Sequence, residues 1–211
     1  MRFNSSLTLS IVFCVTALAG CAATSPRSSE PQAPARHAGS ADQAKVAISS
    51  LAVSEYERAL AAMNAKRDTQ AERILHAMTQ TYDDLAGPHV NLGIIYHRNG
   101  RNREAEQTFR KAIEINPNRP DSHNHLGIVL RERGRFQEAH DAYLRALELD
   151  RSYAYAHLNL GILYDLYLLD SRKALQHYQR YQKLTTGPDP QVVKWIVDLK
   201  RRMKRRKANV R

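Results

Sequence analysis

From residue 86 onward the apolar and small residues of this chain recur with a period of 34. The first copy carries His89, Leu92, Gly93 and Tyr96, then Gly100, Ala105, Phe109, Ala112 and Pro117. One period on stand His123, Leu126, Gly127 and Leu130, then Gly134, Ala139, Tyr143, Ala146 and Arg151. A third copy opens with His157, Leu160, Gly161 and Tyr164. Within each copy the first four positions share one face of a helix. Gly93 and Ala105, with their counterparts, are small enough to let two helices approach closely, and Phe109 or Tyr143 fills the space beside them. Asn99-Gly100 and Arg133-Gly134 predict the turn between paired helices, because glycine reaches positive φ without strain. Pro117 ends the second helix.

The third copy departs from this frame. Gly161 to Ala174 takes 13 residues where Gly93 to Ala105 takes 12, and no glycine marks the turn. Leu168-Leu169-Asp170-Ser171 stands there instead, with Asp170 as N-cap, and predicts a helix pair with a longer turn. Upstream, residues 52–85 form a degenerate copy with Ala59, Ala71, Leu75 and Met78 at the small and large packing positions. Arg58 sits where leucine is expected, and the capping-box spacing of Ser54 and Glu57 predicts a helix start. Downstream, Asp189-Pro190 reads as N-cap and first helical residue. Val192, Ile196, Leu199 and Met203, with Trp195 beside them, predict a terminal helix that covers the last repeat. The expected fold is all-α: a solenoid of about four helix–turn–helix repeats (52–85, 86–119, 120–153 and 154–188) within 47–188, capped by a basic helix and tail over 189–211.

This residue set resembles the tetratricopeptide repeat. The resemblance implies an inner groove lined by the outward face of each first helix. Here that face carries Val90, Ile94, His97 and Arg98, then Asn124, Ile128 and Arg131, then Tyr155, Leu158 and Ile162. Three isoleucines one period apart predict an apolar strip with a polar rim, an arrangement that commonly marks a partner site. The alternative is that the N-terminal segment or the last helix lies over it. Clamps for a terminal carboxylate need Lys or Asn where Val90, Ile94 and Ile128 stand. The partner implied is therefore an amphipathic or apolar protein segment.

Leu7 to Ala19 is an apolar run of 13 residues, short of the ~20 that span a bilayer as a helix. Closed by Leu18-Ala19-Gly20-Cys21, it resembles a bacterial lipoprotein signal. That resemblance implies removal of residues 1–20 and acylation of Cys21, and more than one acyl chain is enough for stable anchoring. Ala22, in place of the aspartate associated with inner-membrane retention, points to the outer membrane, facing the periplasm. Residues 21–46, rich in Ser, Ala and Pro, are expected to form a flexible tether. Cys14 leaves with the signal, so no internal disulfide is expected and stability must come from packing.

Charge is concentrated at the other end. The formal net charge is +11, and residues 191–211 hold nine Lys or Arg against Asp198 alone. Lys200, Arg201, Arg202, Lys204, Arg205, Arg206 and Lys207 form the densest part. This run reads as a solvated helix end, or as a contact for an acidic partner, peptidoglycan or anionic headgroups; export makes nucleic acid an unexpected ligand. Nine histidines raise the question of chemistry. His89, His123 and His157 are repeat-equivalent, however, and equivalent helices sit ~8–10 Å apart, whereas zinc holds its nitrogens at ~2.1 Å. His123 and His125 point to different faces of one helix. No nucleophile elbow, phosphate-binding glycine loop or HExxH pattern occurs. The expectation is a non-catalytic adaptor without metal, cofactor or small-molecule substrate. Similar architectures serve in pilus biogenesis and in the recruitment of cell-wall enzymes. A structural lipoprotein acting through its basic end is the alternative.

Overall fold

The computed structural model describes residues 39–209, with side chains from Ser50 onward. Cys21, the signal-like run and tether residues 21–38 lie outside the described residues. Among the described residues there are nine helices and no strand. They are α1 (Gly39–Asn64), α2 (Asp68–Thr81), α3 (Ala86–Arg98), α4 (Asn102–Ile115), α5 (Pro120–Glu132), α6 (Phe136–Leu149), α7 (Ala154–Leu166), α8 (Ser171–Leu184) and α9 (Pro190–Ala208). Each odd-numbered helix up to α7 packs tightly on its successor, and α9 closes the array against α8.

The glycines of the repeat sit where close approach demands them. A Cβ built on Gly93 would stand 2.7 Å from Phe109, and one on Gly127 would stand 2.5 Å from Tyr143. Gly161 meets Tyr178 in the same way. Phe109, Tyr143 and Tyr178 are all fully buried, each filling the wedge its glycine opens. Gly100 and Gly134 adopt φ of 73° and 76° in the turns. The fourth turn closes without glycine: Leu169 takes φ 54°, and Asp170 caps α8 by accepting from the backbone N–H groups of Arg172 and Lys173. Asp189 caps α9 through Gln191 and Val192.

The degenerate first pair keeps the packing positions, for Ala59, Ala71, Leu75 and Met78 are buried. Its start differs from expectation. α1 begins at Gly39, so Gly39–Val46 are helical where a flexible tether was expected, and Ser54 lies inside the helix, bonding to Leu51 O at 3.2 Å. Residues 41–52 are rich in alanine, with Gln43 and Lys45 and no proline or glycine. Such a stretch propagates helix and overrides a local capping signal. One apolar core runs from Ala59 in α1 to Leu199 in α9, and Gly39–Arg211 forms one compact unit. It carries its own core and so can fold on its own.

Successive pairs are tied by a charged device. Arg101, after the first glycine turn, donates to Glu72 of the preceding pair at 2.6 Å and to Glu104 at 2.9 Å. Arg135 repeats this with Glu106 and Glu138, both at 2.6 Å. Glu106 is buried and also receives Arg110 and Arg133. Burial would raise its carboxyl, but the hydrogen bonds from Arg135 and Arg110 outweigh that and hold it below the usual range.

Candidate partner-binding groove

The first helices of neighbouring pairs approach one another more closely than the second helices do. α3 touches α5 and α5 touches α7, while no comparable contact joins α4 to α6 or α6 to α8. First helices therefore line the inner, tighter surface. Side chains stitch that surface together: Asn91 Nδ2 donates to Tyr56 OH at 2.6 Å, Asn159 Nδ2 to Asn124 Oδ1 at 2.9 Å, and His97 Nε2 meets Glu132 Oε2 at 2.9 Å.

Along this surface Ile94, Ile128 and Ile162 form the expected row, partly buried and packed against the core. The apolar pattern also extends to either side. Leu60 of α1 stands one period upstream of Ile94, and Val197 of α9, 61% exposed, stands one stretched period beyond Ile162. Val193, exposed on the same face one turn before Val197, widens that end. Stepping the period back from Ile94 finds Leu60; Val197 needs the one-residue extension of the third copy, and Val193 lies off the period.

Two expected groove residues are not available to a ligand. Val90 and Asn124 are buried in the seam between adjacent first helices, Asn124 as the acceptor for Asn159. Their position faces the next helix as much as the groove, so stacking removes it from solvent. Leu158 is partly buried, and Tyr155 is 59% exposed with its ring 6.5 Å from that of Tyr181. At the other margin Arg98 lies 3.6 Å from Asp68, and Arg131 is half-buried. The N-terminal end opens into a cleft of about 660 Å³ lined by Val53, Tyr56, Gly87, Pro88, Ile115 and Arg119. Burial raises the Tyr56 hydroxyl, keeping it a neutral donor and acceptor.

The repeat-equivalent histidines do not converge on a shared site; His123 and His157 each bond back to the end of the preceding repeat. His123 bonds to Pro117 O at 3.0 Å, His157 to Arg151 O at 3.3 Å, and His89 keeps a buried Nε2. His125 stacks on Phe109 with ring centres 5.4 Å apart, and burial lowers its pKa. Among the described residues no group of three or more His, Cys, Asp or Glu could hold a metal ion. No helix among them is long and apolar enough to cross a membrane.

In the basic run, Lys200, Arg201, Lys204, Arg205, Arg206 and Lys207 are exposed on α9. Arg202 is different: it is a structural tie, half-buried and bonded to Asp165 at 2.7 Å and to Asp198 at 2.9 Å.

These features define the class. Residues 84–152 match one tetratricopeptide-repeat family model and residues 124–188 match another. Residues 84–188 are built of tetratricopeptide repeats, a class of protein-interaction module. Among solved structures it is similar to PilF of Pseudomonas aeruginosa, with a TM-score of 0.67 and 20% identity over 73% of this chain and 69% of that one. A MamA RS-1 double mutant gives a TM-score of 0.62 at 19% identity, covering 74% of this chain and 87% of that one. The first repeat domain of Spaghetti (RPAP3), bound to an HSP90 peptide, gives 0.53 at 19%, covering 56% and 93%. At these identities the likeness concerns the fold. No curated protein matches the sequence.

Proposed function

We propose that the protein is an outer-membrane lipoprotein, acylated at Cys21 and facing the periplasm, that works as a non-catalytic adaptor. Its groove captures an apolar or amphipathic segment of an envelope protein, in an assembly of the pilus-biogenesis or cell-wall-enzyme type. One observation carries this reading: the apolar row Ile94, Ile128 and Ile162 along the inner surface of α3, α5 and α7, with Leu60 one period upstream. Such a row suits the apolar face of an amphipathic helix or of an extended strand. The Spaghetti domain supports a peptide as occupant, since it is bound to one. The acidic terminal peptide class does not suit Val90, Ile94 and Ile128, which offer no cation or amide.

Two experiments test the two halves separately. In a bacterial host, Cys21→Ser should abolish acyl labelling and release the protein from the membrane fraction; unchanged maturation and membrane retention would refute the anchor. Ile94→Gln/Ile128→Gln/Ile162→Gln should keep the helical spectrum and lose the partner in affinity capture from envelope extracts. Retention of that partner would refute the groove. Glutamine suits this test better than aspartate, because these side chains are partly buried and a charge there would cost folding energy.

A further inference from the structure

The fourth turn carries a surface that the groove does not use. In the earlier turns the chain reverses through polar residues, Asn99-Gly100-Arg101 and Arg133-Gly134-Arg135. In the fourth it reverses through Leu166-Tyr167-Leu168-Leu169, all four exposed, with Leu166 at 61% and Leu169 at 66%. Consecutive exposed apolar residues on a repeat protein call for a function. The knuckle is a rigid one. Tyr167 and Leu168 both donate to Leu163 O, at 3.1 and 2.9 Å, and Asp170 donates to Tyr164 O at 2.9 Å. Tyr167 also packs on Phe136 with ring centres 4.6 Å apart. The leucines are held outward and do not fold back on the core.

What lies beside the knuckle identifies its occupant. Asp165, the residue before Leu166, accepts from Arg202 at 2.7 Å, which brings the C-terminal part of α9 against the end of α7. Beyond Arg202 that helix presents Lys204, Arg205, Arg206 and Lys207, all exposed and none in an ion pair among the described residues. The nearby acids are already engaged: Asp165 with Arg202, Asp198 with Arg201 and Arg202, Asp170 with the start of α8 and Lys173. A convex apolar point therefore adjoins an uncompensated cationic helix end. A protein partner would need an apolar socket ringed by carboxylates. An anionic bilayer surface supplies both halves at once, because leucine and tyrosine enter the headgroup boundary while lysine and arginine remain at the phosphates.

We propose that Leu166–Leu169 and the cationic end of α9 together form a docking edge for an anionic membrane surface. It is independent of the groove and of the proposed acyl anchor. With the anchor it would supply a second attachment that fixes the orientation of the solenoid on the bilayer, since one attachment alone leaves rotation free.

The test uses the self-folding unit 39–211 and vesicles of phosphatidylcholine with or without about one-third phosphatidylglycerol. The wild-type unit should sediment with the anionic vesicles and not with the neutral ones. Lys204→Glu/Arg205→Glu/Lys207→Glu should weaken partitioning by about tenfold or more. Leu166→Gln/Leu169→Asn should weaken it by a similar factor with no change in charge; asparagine tolerates the positive φ at 169. A Leu166→Trp reporter should shift to the blue on anionic vesicles and be quenched by brominated acyl chains. Absence of vesicle binding by the wild type would overturn the proposal. So would full binding by the leucine variant, or a reporter that neither shifts nor is quenched. Binding to soluble polyglutamate without vesicle binding would assign the edge to an acidic protein and equally overturn it.

Discussion

Gly127 has no room for a side chain. Tyr143 fills the space a Cβ would take, at 2.5 Å, and Tyr143 is itself fully buried. Gly127→Val should therefore cost about 1–3 kcal/mol by overpacking, measured by chemical denaturation. A variant as stable as wild type would mean that α5 and α6 can separate. A second prediction at this scale concerns His157 and His177, whose Nδ1 atoms lie 3.1 Å apart between α7 and α8. Burial first, then the charges of His157, His140 and Lys173, push His177 down to about 4. Burial also lowers His157, with Arg180 adding to the effect against a bond to Arg151 O. Unfolded histidine titrates near 6.5, so between ~4 and ~6.5 the unfolded chain binds more protons than the folded one. Stability is thus intact above about pH 6.5 and falls as the pH drops toward 4. His177→Gln should flatten the dependence of melting temperature on pH across that window. An equal slope in the variant would place the effect elsewhere.

Between elements, the Arg–Glu ties are the feature most worth breaking. Glu106→Gln leaves three guanidinium groups facing a neutral amide under partial burial. It should cost about 2–3 kcal/mol, below the range for fully buried pairs because the arginines remain partly hydrated. Thermal melts at low and high salt would measure it, and a loss under about 0.5 kcal/mol would reduce the tie to a surface pair. These ties also mark the limit of what was legible in the sequence. The turn glycines, the wedge of Gly93 against Phe109, and the caps Asp170 and Asp189 are local signals and were readable from spacing alone. Arg135 and Glu106 are 29 residues apart, and their meeting depends on how one pair stacks on the next. The same stacking buries Val90 and Asn124, because a linear pattern cannot separate the groove from the seam between first helices. The start of α1 is hidden for the opposite reason. The capping spacing of Ser54 and Glu57 is a weak local signal, and a long run of helix-forming residues overrides it.

For the whole molecule, the inner surface decides whether this chain is an adaptor or only a well-packed solenoid. Ile94, Ile128 and Ile162 lie on contiguous first helices, α3 to α5 to α7, with Leu60 one period upstream, and Val193 and Val197 on α9 are open to solvent. No described helix covers these two valines. The most direct measurement is site-specific photo-crosslinking in living cells, with the crosslinking residue placed at Ile128 and, as control, at Gln137 on the outer surface. The account predicts a discrete adduct from 128 with another envelope protein, mapping to an apolar or amphipathic segment, and none from 137. An adduct from 128 confined to the chain's own N-terminal residues, or an equal pattern from both positions, would contradict it.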